Sequence, residues 1–175
     1  MSVKIENLVT SGTFSLDGGT WDVDNNVWIV GNAEEAIIID PAHNPEAVAQ
    51  AVEGRTVKAI LLTHGHDDHI RAVGEVRDLV KAPVYLHAAD RMLWDAIFPD
   101  SAPDHEIKDG DTFQVAGAEL RALHTPGHSP DPSASIWSRR TYCSAATPCS
   151  TAAPAQPDEA TPASRPSSIP SSRVC

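Results

Sequence analysis

The chain has 175 residues and carries 24 acidic against 13 basic side chains, a formal charge of −11 with histidine neutral. A field of that sign disfavours nucleic acid and anionic membrane surfaces as partners, and no apolar run approaches the roughly 20 residues that span a bilayer. The length suffices for one domain with a real core.

The composition is uneven along the chain. Residues 1–130 hold 21 of the acidic and 9 of the basic groups, a net −12, together with all eight histidines. The three cysteines, Cys143, Cys149 and Cys175, all lie beyond that point. No charged-then-apolar leader is read at the start, and a cysteine-free histidine region suits a reducing compartment. The expectation is a cytoplasmic protein.

In chain order, residues 3–8 and 26–30 read as strands, the second with Val27, Trp28, Ile29 and Val30 in a row. Gly31-Asn32-Ala33-Glu34 is a turn signal, and residues 36–39 form a fully apolar strand, so a hairpin is predicted at one end of a sheet. Asp40-Pro41 ends it, because proline cannot donate to a ladder. Asn44 is placed to cap a helix with Pro45 in its first turn, Glu46 at the positive end of the dipole and Gly54 at its close. Residues 57–63 read as a buried strand and 70–80 as an amphipathic helix with Val73, Val76, Leu79 and Val80 on one face. A strand at 83–86, a helix at 88–97, the turn Asp109-Gly110-Asp111, and a hairpin of 112–115 with 120–124 turning at Gly117 complete the pattern. Strands alternating with helices, then hairpins, predict an α/β (α+β) mixed sheet covered by helices.

The chemistry concentrates in Thr63-His64-Gly65-His66-Asp67-Asp68-His69, at the C-terminal end of the 57–63 strand. Neutral imidazole and carboxylate are the usual ligands of a catalytic zinc ion with an open position. His64 and His66 alternate and point the same way from an extended backbone. Asp68 and His69 follow a turn and can aim a few ångströms away, which is enough for two ions about 3.5–4 Å apart. The competing reading is a polar surface loop; the flanking strand and helix count against it. For Asp68 alone, an N-cap ahead of Ile70 is the competing role.

This loop, with its H-x-H-x-D-H pattern, resembles the signature of the metallo-β-lactamase superfamily. His124-Thr125-Pro126-Gly127-His128-Ser129-Pro130 is similar to the next metal motif of its glyoxalase II-like hydrolases. With Ile37-Ile38-Ile39-Asp40-Pro41, the likeness runs from about residue 26 to residue 130. The resemblance implies an αββα sandwich, of which residues 1–130 supply the N-terminal half. It also implies that His64, His66 and His124 bind a first metal and that Asp68 and His69 belong to a second. Two zinc ions are implied, with iron or manganese as alternatives, and Asp68 would also accept the proton of the attacking hydroxide. The implied partner is a small ester or thioester substrate.

Other residues are less determined. Asp40, at a strand end, either orients a ligand imidazole from behind or simply forms a turn. His128 braces its loop or touches substrate or metal. His43, His87 and His105 lack partners at ligand spacing and read as surface or packing residues, and Trp21, Trp28 and Trp94 as core. Competing functions are an iron-dependent persulfide dioxygenase, whose ligands overlap with these, and a non-catalytic metal-binding remnant.

From Asp131 the character changes: 25 of the last 45 residues are Pro, Ser or Ala, a composition predicting a disordered tail over 131–175. A sharper reading is a frameshift after Pro130. Back-translated and moved one base earlier, residues 133–140 permit V-C-L-Y-L-E-S-T, and residues 142–160 permit a string beginning V-L-F-S-G-D-T-L-F. The latter resembles the segment of the same hydrolases that carries a metal-bridging aspartate. A random residue meets such a constraint roughly one time in four, so a run of this length is not chance. The chain as written then lacks that aspartate and the family's final histidine, and the half-sandwich would expose a sheet face that should be buried.

Overall fold

The computed structural model describes residues 2–125 and the strand Ser133–Ser138. β1 (Lys4–Leu16) and β2 (Gly19–Gly31) form one long antiparallel hairpin, paired from Lys4↔Gly31 to Leu16↔Gly19. Both strands run well past the predicted 3–8 and 26–30. The intervening residues lack a clear apolar alternation, and it is the partner strand that holds them extended. Asp17 (φ 49°) and Gly18 (φ 80°) both adopt the left-handed conformation at the tip, the pairing of a two-residue turn whose twist matches the flanking strands.

β2 continues antiparallel into β3 (Glu35–Ile39), with Trp28 opposite Ile39, so the predicted hairpin forms. From β3 the sheet turns parallel, through β4 (Thr56–Leu61), β5 (Val84–His87) and a three-residue edge strand β6 (His105–Ile107) that carried no sequence signal of its own. The strand order β1-β2-β3-β4-β5-β6 follows the chain. α1 (Pro45–Ala51) lies between β3 and β4, capped as predicted by the Asn44 side chain accepting from the Ala47 N–H at 3.0 Å. It ends sooner than expected, at Ala51, and Gly54 (φ 78°) shapes the turn that follows.

The predicted helix over 70–80 is divided. α2 (Asp67–Ile70) is a single turn begun inside the histidine loop, and α3 (Val73–Val80) follows it. Starting the periodicity at Val73 turns Val73, Val76 and Val80 towards the sheet. Leu79 then lies roughly 90° round the wheel and is 54% exposed, contrary to its expected place on that face. A 3₁₀ turn (Ala88–Asp90) leads into α4 (Arg91–Ile97).

A second, three-stranded sheet is built from β7 (Thr112–Val115), β8 (Ala118–Thr125) and β9 (Ser133–Ser138), all antiparallel. Ala116 (φ 50°) and Gly117 (φ 76°) make its β7–β8 turn. β9 falls within the stretch expected to be a tail; the remaining residues from 126 on, His128 included, lie outside the described residues.

The central strands are buried on both faces, which is why they read as unbroken apolar runs. Ala36, Ile38, Ile60 and Leu62 face the helices, packed with Val48, Val73, Val76 and Trp94. Ile37, Ile39, Ala59 and Leu61 face the opposite way, onto Val115, Leu120 and Ala122 of the second sheet. The expectation of a bare face on the large sheet is thereby corrected: β7 and β8 cover it. Away from that core, Thr112, Gln114 and Arg121 of the small sheet are exposed, with Gln114 donating to Glu119 at 2.8 Å. Trp94 is core as predicted, 1% exposed, and Trp28 is partly buried against the inter-sheet core, whereas Trp21 is 52% exposed on the hairpin arm, where no layer covers it.

Replacing Ile38, fully buried between strand and helices, with alanine is expected to lower unfolding free energy by about 2–5 kcal/mol. Leu79→Ala is expected to change it by no more than about 0.5 kcal/mol. Urea denaturation of both variants measures the contrast.

Candidate metal centre

The parallel strands β3 and β4 end side by side, and their C-terminal ends carry the polar cluster, where open α/β sheets gather ligand-binding groups. Asp40 follows β3 directly, and its N–H bonds to the Leu61 carbonyl at 3.0 Å. It has φ 50°, a left-handed conformation costly for a non-glycine residue, and it is fully buried. Its carboxylate accepts from the Thr63 N–H (Oδ1, 2.8 Å) and from the Thr63 hydroxyl (Oδ2, 2.6 Å). His69 Nδ1 lies 3.3 Å from the same Oδ2. Asp40 therefore does more than form a turn: it joins the end of β3 to the loop after β4 and to α2.

The imidazoles gather against this anchor. The His64 ring lies 4.6 Å from that of His66, edge-on, and 4.2 Å from that of His69. Asp40, His64 and His69 each offer a ligand atom, and these atoms lie within 4.8 Å of one another, with Asp40 and His64 buried. Gly65 lets the loop pass close to α4: a Cβ there would meet Leu93 Cβ at 3.0 Å and the Asp90 carbonyl oxygen at 3.1 Å. α2 starts at Asp67 with His66 at the cap position and no side-chain cap bond. Asp68 thus sits inside the turn rather than capping it. Asn25 of β2 instead donates to Asp68 Oδ2 at 2.8 Å, and His69 Nε2 lies 3.6 Å from that oxygen. The other oxygen, Oδ1, is buried with no hydrogen-bond partner.

Charge couples the cluster. Burial alone would raise the Asp40 carboxyl, but the charge and hydrogen bond of His69, then His64 and the Thr63 hydroxyl, outweigh it and hold the group below its ordinary range. Burial likewise opposes a charged His69, yet Asp40, Asp68 and Asp67 together raise its pKa above the ordinary 6.5.

His43 was expected on the surface or in packing. It is half-buried at φ 57°, its ring so close to Gly12 that a Cβ there would meet Nδ1 at 2.2 Å, and its Nε2 is buried without a hydrogen bond. Burial holds its pKa below 6.5 against the pull of Asp68. His87 accepts from the Ala89 N–H at 3.3 Å, its ring 5.4 Å from that of His124, and His105 lies against Tyr85 at 4.7 Å, so both are packing residues as expected. His124, on β8, is half-buried with its N–H donating to Asp109 at 3.0 Å. Among the described residues, no group of three ligand atoms within 4.8 Å includes His66, Asp68 or His124. Sequence reasoning passed over Asn25, Asp90 and Thr63. Asp90 is 1% exposed beside Gly65, and only its spacing from His87 in a helix start marked it. Asn25 gave no signal, because its partner is 43 residues away.

The donor set fits a divalent cation: the buried His64 with half-buried His66 and His69 beside it, and a buried Asp68 oxygen that accepts no hydrogen bond. Asp40, with both oxygens already occupied by donors, fits a brace for the imidazoles.

The family model of the metallo-beta-lactamase superfamily matches residues 20–143, and the chain belongs to that superfamily. It is 39% identical over 107 residues to an uncharacterized protein of Aquifex aeolicus, covering 55% of this chain and 51% of that one. It is 37% identical over 130 residues to the atrochrysone carboxyl ACP thioesterase AgnL7 of Paecilomyces divaricatus, covering 69% of this chain and 36% of the relative. The probable metallo-hydrolase YqgX of Bacillus subtilis is 36% identical over 111 residues, covering 55% of this chain and 53% of the relative. The chain thus spans about a third to a half of these relatives. Among solved structures, the BLEG-1 B3 metallo-beta-lactamase superimposes with TM-score 0.58 at 30% identity, over 75% of this chain and 68% of that one. The metallo-beta-lactamase of Pontibacter korlensis, at TM-score 0.59 and 20% identity over 79% and 68%, shares the fold. No helix among the described residues is long and apolar enough to cross a membrane.

The Asp40–His69 pair sets a pH dependence for the metal-free protein. Asp40, lowered on folding, contributes stability above its ordinary carboxyl range that is lost as pH falls through its folded pKa. His69, raised on folding, contributes stability below 6.5 that is lost as pH rises through its folded pKa. The thermal midpoint of metal-free protein is expected to peak at about pH 5–6 and fall towards pH 9. His69→Gln is expected to flatten the alkaline limb, measured by calorimetry in the presence of chelator.

Proposed function

We propose that the chain is the metal-binding half of a hydrolase acting on a thioester or ester of a small thiol or alcohol, of the glyoxalase II-like kind. The observation that carries this is the cluster of imidazoles after β4, with His64 buried, together with the unsatisfied Asp68 oxygen. The named thioesterase and metallo-hydrolase among the relatives favour the same reaction class. In this reading His64, His66 and His124 hold one zinc ion, and Asp68 and His69 a second.

Zinc bound there supplies Lewis acidity and a hydroxide nucleophile at neutral pH. The chain's own residues then orient and move protons. Asn25 fixes the Asp68 carboxylate through Oδ2, leaving Oδ1 to accept the proton of the attacking water. The Asp40 carboxylate lies 3.3 Å from His69 Nδ1 and would orient the ring by its charge, with Nε2 3.6 Å from Asp68 Oδ2. Half-buried Phe14 stacks on exposed Trp21 and lies 5.6 Å from the His66 ring, beside the loop that would receive substrate.

We further propose that codons after Pro130 are read out of frame, so that residues 1–130 are the family domain and 131–175 replace its bridging aspartate. On that reading the chain as written binds metal and turns over poorly. Resequencing the DNA across codons 130 and 131 tests the frame directly.

Zinc-supplemented protein is expected to bind metal by titration, and His64→Ala with His66→Ala to abolish that binding. The frame-restored protein is expected to hydrolyse a thioester at least 100-fold faster than the chain as written, and Asp68→Asn to lower the restored rate by a factor of about 10²–10⁴. Equal rates for the restored and unrestored chains would remove the argument for a missing ligand.

A further inference from the structure

We propose that the Thr63 hydroxyl is a positioning group that fixes His64 in the tautomer with hydrogen on Nδ1, and thereby presents Nε2 as the metal-binding nitrogen. The proposal rests on the reading of His64 as a ligand and adds the device that prepares it.

Thr63 Oγ1 lies 2.6 Å from Asp40 Oδ2 and 3.0 Å from His64 Nδ1. A hydroxyl has one hydrogen to donate, and an ionised carboxylate has none. Asp40 Oδ1 accepts from the Thr63 N–H at 2.8 Å, and the 2.6 Å contact at Oδ2 has the length of a hydroxyl donating to a carboxylate. The hydroxyl hydrogen therefore goes to Asp40, and this short bond to a charged acceptor is the stronger of the two. What the oxygen turns towards His64 is a lone pair. A neutral imidazole satisfies that lone pair only with its hydrogen on Nδ1, and Nε2 is then left as the basic nitrogen.

The backbone makes the relay rigid. The Thr63 N–H donates to Asp40 Oδ1 at 2.8 Å, so the same residue grips both carboxylate oxygens and its hydroxyl cannot rotate away without breaking a buried bond. Thr63 is itself fully buried, which excludes water as a substitute donor. Asp40 serves His69 directly through Nδ1 at 3.3 Å and His64 through Thr63. One carboxylate thus sets the orientation of two imidazoles, one at first hand and one by relay.

The test is the tautomer itself, read from the ¹⁵N shifts and two-bond couplings of His64 in metal-free protein at a pH where the ring is neutral. Wild type and Thr63→Ser, which keeps the hydroxyl, are expected to show hydrogen on Nδ1. Thr63→Val is expected to populate the other tautomer and to bind zinc about 10–100-fold more weakly in competition with a chromophoric chelator. Hydrogen on Nε2 in the wild type overturns the proposal, as does a folded Thr63→Val protein with unchanged tautomer and zinc affinity. Should Thr63→Val fail to fold, wild type and Thr63→Ser still decide the matter. Failure of wild type to bind zinc would count against the metal site alone, since the tautomer is measured without metal.

Discussion

The buried carboxylate of Asp40 is the constraint on which the site depends. It stands where β3 ends, in a left-handed backbone conformation, and takes hydrogen bonds from the backbone and hydroxyl of Thr63 where β4 ends. His69, one turn into α2, leans on the same oxygen. A charge so deeply buried persists only with several donors and a countercharge. Removing it would leave the Thr63 N–H and hydroxyl without an acceptor and His69 without its nearest countercharge, and would cut the link between sheet and histidine loop. The strain at φ 50° is retained because it aims the carboxylate across the strand ends instead of along β3.

Around that anchor the fold is a scaffold with two dry faces. One set of alternating side chains on β3 and β4 packs on the helices, the other on the second sheet, so the strand ends cannot shift independently of either layer. This rigidity is what a constellation of imidazoles needs, since their spacing must survive mutual repulsion as well as the loss of water. Negative charge supplies the rest: Asp40, Asp67 and Asp68 surround His69 and raise its proton affinity when no metal is bound. A cation entering the cluster would replace that proton, and so metal binding and protonation compete for the same field.

The long β1–β2 hairpin has a part in this as well. Its inner half carries Asn25, which grips Asp68, and its outer half donates from the Ser15 N–H to Asp67 at 3.2 Å. Phe14 lies over His66 and Trp21 against Phe14. The arm is therefore tied to the histidine loop by two carboxylates and an aromatic contact.

Much of this was legible in the residues alone. Three imidazoles and two carboxylates in seven positions, delivered by an apolar strand, announce metal chemistry because that chemistry depends on local spacing. The apolar runs 36–39 and 59–62 announce central strands because burial on both faces leaves no polar alternation. Other features were decided only in three dimensions. Asn25 meets Asp68 across 43 residues, and Thr63 gains its significance from Asp40, 23 residues earlier. Leu79 left the core because the helix begins at Val73, and Trp21 remained in solvent because its strand extends beyond the layers that would cover it. Local sequence determines which atoms can bind a cation and which strands are buried; which oxygen faces which nitrogen is set by long-range packing, since a hydrogen bond depends on distances that the order of residues does not contain.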